Sequence, residues 1–298
     1  CALMAPVAMA IATRVGMPAF LMTLLVVGAA NGAAFSPFAP TGIISNGLIA
    51  KMAPALNIPA DSLSSLAWKV HFNSEVAQAF VNIGGFFVMG GWAWIMKQKG
   101  AELDIDELAP KPEPFNKAQI TTLLLVAILI VLVVVPGLPG IKGTLPKAVT
   151  NMLSNVGSIS FVLSIVLMLT GYGDSKAAVK VMPWGVIMMV CGVSVLIDVM
   201  DQAGGLNALV SIIGSVSGPV TVNFWVSFVP AVISAYSSSS GVVMPMFLPM
   251  VPGLRDLTGG DAIAMISAIN VGSHLVDTSP LSTLGALCIA SAGDHEDK

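Results

Sequence analysis

Between Thr121 and Val135 the chain reads TTLLLVAILIVLVVV, an apolar run that carries no charge. Such a segment leaves water, and inside lipid every backbone N–H and C=O must find its partner within the protein, which admits only helices and closed barrels. The β-branched residues of the run therefore do not argue for a strand. The rest of the chain is similar in character: 55% of its 298 residues are hydrophobic and only 10% are charged, where soluble domains carry about a quarter. With a mean hydropathy of +0.88, the chain reads as an all-α polytopic membrane protein.

About 20 apolar residues carry a helix across the hydrocarbon core. Segments 74–97, 118–136, 150–170 and 183–200 meet or approach that length. Other apolar stretches are interrupted. Residues 17–30 and 41–50 flank NGAAFSPFAP, and 261–273 and 283–292 flank HLVDTSPLS, so each pair reads as one broken helix with Pro37, Pro40 or Pro280 at the break. Residues 219–235 run into YSSSSG and return as VVMPMFLPMVPGL, two short arms around a polar tip, which is the pattern of a re-entrant hairpin. Residues 204–216 read as an interfacial helix and 51–73 as a polar connection. Trp92, Trp94 and Trp184 read as interface anchors.

Charge and proline gather in KQKGAELDIDELAPKPEPFNK, from Lys97 to Lys117, as in an exposed linker. It divides the chain into 1–97, the linker 98–117 and 118–298. Lys97, Lys99, Lys111 and Lys117 place it in the cytoplasm by the positive-inside rule. Parity then sets Lys142 and Lys147 outside and Lys176 and Lys180 inside. Cys1 enters an apolar run with no basic region before it, so the start reads as cut within a longer protein rather than as a lipidated terminus. GDHEDK at the other end reads as a loop leading to a further span. Cys1, Cys191 and Cys288 form no C-x-x-C pair and read as buried, reduced filler. A net charge of −3 implies no nucleic-acid partner. Walker A, G-x-G-x-x-G and H-E-x-x-H motifs are absent, which argues against ATP-driven transport, and no cofactor is implied beyond a coupling ion.

Laid on itself at an offset of 243, the sequence pairs Ser36-Pro37 with Ser279-Pro280, Pro6 with Pro249, Gly16 with Gly259, Ala19 with Ala262, Met22 with Met265 and Gly42 with Gly285. Duplicated broken helices are the sequence pointer to a transporter with a midplane site. By the same offset Cys1–Ala12 is the returning arm of a first hairpin whose tip lies before residue 1.

Unwound backbone at membrane depth is tolerated where protein or a water-filled cavity surrounds it. Half-helix N-termini there suit a carboxylate, and freed carbonyls and hydroxyls suit Na⁺. The substrate-binding candidates are Ser237, Ser238, Ser239, Ser240 and Gly241 at the tip, Ser36 and Thr41 at the first break, and Ser282 and Thr283 at the second. The ion-binding or coupling candidates are Asn31, Gly32, His274, Asp277, Thr278 and Ser279, with Na⁺ as a possible metal at the broken helices. Plainer roles compete with these. The serines are small residues for helix packing, Asp277 is a cap for the second half-helix, and His274 is a hydrogen-bonded structural residue. Asp198 and Asp201 are headgroup contacts at a span end.

GAANGAAFSPFAPTGIISNGL (28–48), AYSSSSGVVMPMFLPMVPGL (235–254) and VGSHLVDTSPLSTLGALCIA (271–290) together resemble the MatC-type dicarboxylate or malonate carriers, which are similar to the divalent-anion sodium symporters of the ion transporter superfamily. The resemblance implies two inverted repeats, each with a re-entrant hairpin and a broken helix, a dimerisation scaffold and an elevator-like movement. It also implies a homodimer in the bacterial inner membrane, carrying a small organic dianion such as malonate or succinate. The symporters carry Ser-Asn-Thr at each hairpin tip, and SSSSG departs from it. A sodium/proton antiporter using Asp277 and His274, and an accessory subunit that transports nothing, are the alternatives.

Overall fold

The computed structural model describes residues 4–97, 114–134, 146, 149, 156–182, 184–279 and 282–292. Pro280, Lys99, Lys111, Lys142, Lys147, Cys1 and the GDHEDK tail lie outside the described residues, as does the side chain of Thr283. In chain order the α-helices are α1 (Met4–Arg14), α2 (Ala19–Ala34), α3 (Pro40–Met52), α4 (Leu63–Phe86), α5 (Trp92–Lys97), α6 (Lys117–Val134), α7 (Val156–Leu169), α8 (Ser175–Val181), α9 (Trp184–Gln202), α10 (Gly205–Ser215), α11 (Val222–Ser234), α12 (Met244–Phe247), α13 (Val251–Thr258), α14 (Ala262–His274) and α15 (Thr283–Ala292). No strand occurs among the described residues, in keeping with the all-α expectation.

The chain forms two units, one of Cys1–Leu108 with Gly185–Lys298 and the other of Ala109–Trp184. In the smaller unit α6 and α7 are predominantly apolar, and α6 carries Lys117, Gln119, Thr121 and Thr122 in its first turns. There Asp174 caps α8 by accepting from the backbone N–H groups of Lys176 and Ala177 at 2.9 and 3.2 Å.

Among the described residues of the larger unit one helical path is long and apolar enough to cross a bilayer, from Ala60 to Lys97. It begins well before residue 74. Residues 63–73 continue the helix of 74–86 instead of forming a connection, because Leu66 and Val70 fall at four-residue spacing on the buried face of Ser74 and Gln78. Leu66, Val70, Ser74 and Gln78 are buried, whereas Phe80 is 80% exposed and Val88 84%, an outer face suited to lipid. A π-helical turn at Phe87–Gly91, with Gly90 at φ 109°, links α4 to α5. Residues Val195–Gln202 and α10 reach spanning length only as a pair bent by 77°. Cys191 on α9 is exposed, not buried, while Cys288 is buried as expected.

The hairpin region is held by its return arm. Pro245, Pro249 and Pro252 donate no backbone hydrogen bond, so the arm is wound in short pieces: a π turn at Ser239–Val243, α12, a 3₁₀ turn at Leu248–Met250, then α13. Val243, Met244, Leu248, Val251 and Leu254 along it are wholly buried, together with Met265, Ile266 and Ile269 of α14. α11 approaches α14 so closely that a Cβ on Gly272 would sit 2.3 Å from the Ser227 carbonyl, the kind of contact small residues permit between membrane helices.

Backbone features also recur at the 243-residue offset. Gly16 and Gly259 both take positive φ, 62° and 72°. The turn bonds Ser36 N–H to Ala33 O (3.1 Å) and Ala39 N–H to Ser36 O (2.9 Å) recur as Ser279 N–H to Val276 O (2.8 Å) and Ser282 N–H to Ser279 O (3.0 Å). Gly42 and Gly285 lie against these turns alike: an added Cβ would be 2.0 Å from Ser36 O in one and 2.1 Å from Ser279 O in the other. The half-helices after the breaks start differently. Ala39 offers α3 no side-chain cap and Pro40 follows, whose missing N–H is one that a helix start leaves unbonded anyway. Ser282 accepts from Gly285 N–H at 2.9 Å and so caps α15.

Candidate functional site

The three interrupted segments meet. At the hairpin tip the Ser239 hydroxyl, buried, donates to Asp277 Oδ1 at 2.7 Å and lies 2.7 Å from Ser234 Oγ. Ser234 in turn donates to the Ser273 carbonyl. At the first break the Asn31 amide donates to the His274 carbonyl at 3.0 Å. Phe35 sets its ring edge-on to His274, with centroids 4.8 Å apart. Tip, first break and second break thus converge on His274 and Asp277, both less than a tenth exposed.

The Asp277 carboxylate faces the serine tip, and the helix-capping role falls to Ser282, whose hydroxyl also donates to the Asp277 carbonyl. His274 Nδ1 is held 2.9 Å from the Asn270 carbonyl and 3.1 Å from Ser273 Oγ. Its Nε2 is buried with no partner among the described residues. A buried ring nitrogen of that kind is open to a ligand.

The remaining candidates divide. Ser238 accepts from Gly241 N–H at 3.2 Å and shapes the tip, and Ser36 accepts from Phe38 N–H at 3.5 Å at the first break. Gly241 is buried beneath the tip. The hydroxyls of Ser237, Ser240, Thr41 and Thr278 hold no hydrogen bond among the described residues. Pro37 lies inside the first turn and Ser279 carries the carbonyl that Gly285 rests on. The acceptors at the second break are oxygens of carboxylate, hydroxyl and carbonyl groups, the ligand type of a hard cation.

Several polar groups near the breaks were not singled out by sequence reasoning. Ser45 and Asn270 pair as Asn270 Nδ2 to Ser45 Oγ at 3.0 Å, both buried. From α4, Asn82 packs on Gly28 and Glu75 on Gly32, so close that a Cβ on either glycine would collide with them. The signal was present in GAANG, whose Gly28 and Gly32 have the small-xxx-small spacing of a close helix contact. A separate cavity of about 200 Å³, lined by Lys51, Asp198, Asp201, Pro245 and Pro249 among others, lies at the far end of α3 from the break. Asp198 and Asp201 therefore line a cleft with a lysine.

A family model described as citrate transporter, CitMHS, matches residues 1–270. The match covers the first break and the hairpin and stops before His274 and Asp277. No curated protein and no solved structure matches the chain.

Proposed function

Because the chain belongs to the citrate transporter family CitMHS, an integral-membrane family of secondary carboxylate carriers and not of enzymes, we propose that it carries a small di- or tricarboxylate across the bilayer in symport with a cation. Malonate and succinate are the candidates from the sequence resemblance, and the family's description adds citrate. The observation that carries this reading is the meeting of the serine tip and the first break at the second break, through Ser239 to Asp277 and Asn31 to His274.

The hydroxyls of Ser237, Ser240 and Thr41 take the carboxylate groups, and the N-terminal end of α15 with Thr283 is assigned to the same task. No lysine or arginine belongs to this group of residues, so a bound anion needs a cation beside it. Asp277, the Thr278 hydroxyl and the carbonyls of Gly32 and Ser279 are assigned to that cation, taken as Na⁺. The two broken segments act as repeats of inverted topology, and the tip and breaks move together against a homodimeric scaffold in an elevator-type cycle. The same assignment places the protein in the bacterial inner membrane with the 98–117 linker in the cytoplasm.

The test is gradient-driven uptake of labelled malonate, succinate and citrate into proteoliposomes, with and without Na⁺. Uptake of none of them would sink the carrier reading. One observation favours a second reading, a sodium/proton antiporter: His274 Nε2, three positions before Asp277 in the chain, is buried with no partner among the described residues. That reading requires pH-dependent Na⁺ exchange without any carboxylate.

A further inference from the structure

The cavity of about 200 Å³ at the far end of α3 lies outside the site described above, and its charges follow a pattern. Lys51 from the last turn of α3 and Asp198 and Asp201 from the last turns of α9 line it together, and all three are exposed. None of them forms an ion pair or a side-chain hydrogen bond among the described residues. One positive and two negative groups therefore border the same space without joining across it. The rest of the lining is apolar, with Met52, Leu206 and Pro245 buried.

The cavity sits where an apolar span gives way to polar residues. α9 closes on Asp198, Asp201 and Gln202, Gly204 takes φ 78°, and the path turns by 77° into α10. This is the level at which lipid headgroups meet a protein. Beyond α3 the chain is tied down, since Arg255 of α13 donates to the Leu56 carbonyl at 3.2 Å. On the return arm Pro245 and Pro249 offer no N–H at their positions, so polar recognition falls to the three charged side chains.

Those charges select among ligands. Lys51, a compact cation with three donors, suits a phosphate. Asp198 and Asp201 repel a ligand that is only anionic, and Lys51 opposes a bare cation. A primary ammonium has three N–H groups and can donate to both carboxylates. A quaternary ammonium has none and is recognised by aromatic cages, and no aromatic ring lines this cavity among the described residues.

We propose that the cavity holds the headgroup of an aminophospholipid, its phosphate on Lys51, its primary ammonium between Asp198 and Asp201, and its chains leaving along Leu48 and Ile197. The proposal rests on the membrane residence of the family and not on which carboxylate is carried. The lipid then joins α3, which follows the first break, to α9 through charges that the two helices do not exchange directly.

The test uses the purified full chain, stripped of lipid in detergent, with phosphatidylethanolamine, phosphatidylcholine and phosphatidylglycerol of identical acyl chains. Bound lipid is counted by native mass spectrometry, and the lipid-induced rise in melting temperature is measured alongside. The wild type is expected to prefer phosphatidylethanolamine to each of the others by about fivefold or more. The double variant Asp198→Asn with Asp201→Asn should bring that preference within about twofold, and Lys51→Gln should weaken all three lipids by about tenfold. Asp256→Asn, a loss of charge outside the cavity lining, should keep the wild-type preference. The single variant Asp201→Asn carries the comparison should the double variant fail to fold. Glycerophosphoethanolamine, the same headgroup without chains, should give no rise at the same concentration.

A wild type that binds phosphatidylcholine or phosphatidylglycerol as well as phosphatidylethanolamine overturns the proposal. So does a preference that survives loss of both aspartates or is lost equally in Asp256→Asn. An equal rise with glycerophosphoethanolamine overturns it too, by making the ligand a soluble zwitterion.

Discussion

Asn31 and His274, which the 243-residue offset makes counterparts, are hydrogen-bonded to each other, side-chain amide to backbone carbonyl at 3.0 Å. The contact ties the two interrupted segments directly to each other.

Asn31→Ala should destabilise the protein by about 1–3 kcal/mol, since it leaves the buried His274 carbonyl without its donor. Thermal unfolding in detergent measures this, and Asn31→Ser, which keeps a short donor, should recover part of the loss.

Ser239→Ala should lower the initial rate of carboxylate uptake by about tenfold or more, because it removes the donor to a buried carboxylate. Ser238→Ala, which loses only the local bond that shapes the tip, should have the smaller effect. Equal effects from the two would separate the tip from Asp277.

The twin glycines yield a paired prediction. Gly42→Ala and Gly285→Ala force the same collision with a turn carbonyl and should destabilise alike, by about 1–3 kcal/mol each. Gly47→Ala lies in the same helix as Gly42 with nothing within 4 Å of its added Cβ, and should be neutral or stabilising by about 0.5–1 kcal/mol. Melting temperatures of the three variants check all of these.

Asp277→Asn keeps an acceptor for Ser239 and removes the charge. In a carrier it should raise the cation requirement for uptake while counterflow of labelled carboxylate survives at saturating cation. In an antiporter it should abolish pH-dependent Na⁺ exchange. Measuring both on one preparation separates the readings.

Interruption was legible in the sequence because Pro37, Pro40 and the serine tip break apolar runs outright, and the offset of 243 could be found because Gly16, Gly42 and Ser36 each meet a local backbone demand. The early start of α4 was not, because Lys69, His71 and Asn73 make its first turns look like a loop. What those residues face depends on α2 and α14, distant in the chain. The roles of Ser282 and Asp277 were likewise open: either could cap a helix, and only the spatial approach of Ser239 to Asp277 assigns them. Glu75 meets Gly32 across a long separation, and spacing along one helix carries no information about such a meeting.

The differing starts of α3 and α15 carry one more implication. Ala39-Pro40 and a capping Ser282 are two chemistries that serve a single chain trace, so they are exchangeable parts. A chimera that installs Ser at 39 and Thr at 40 should fold, while differing from the parent in how readily the end of its helix unwinds. Which of the two openings gives way first would then be set by this choice of lining, and could be reversed by swapping it.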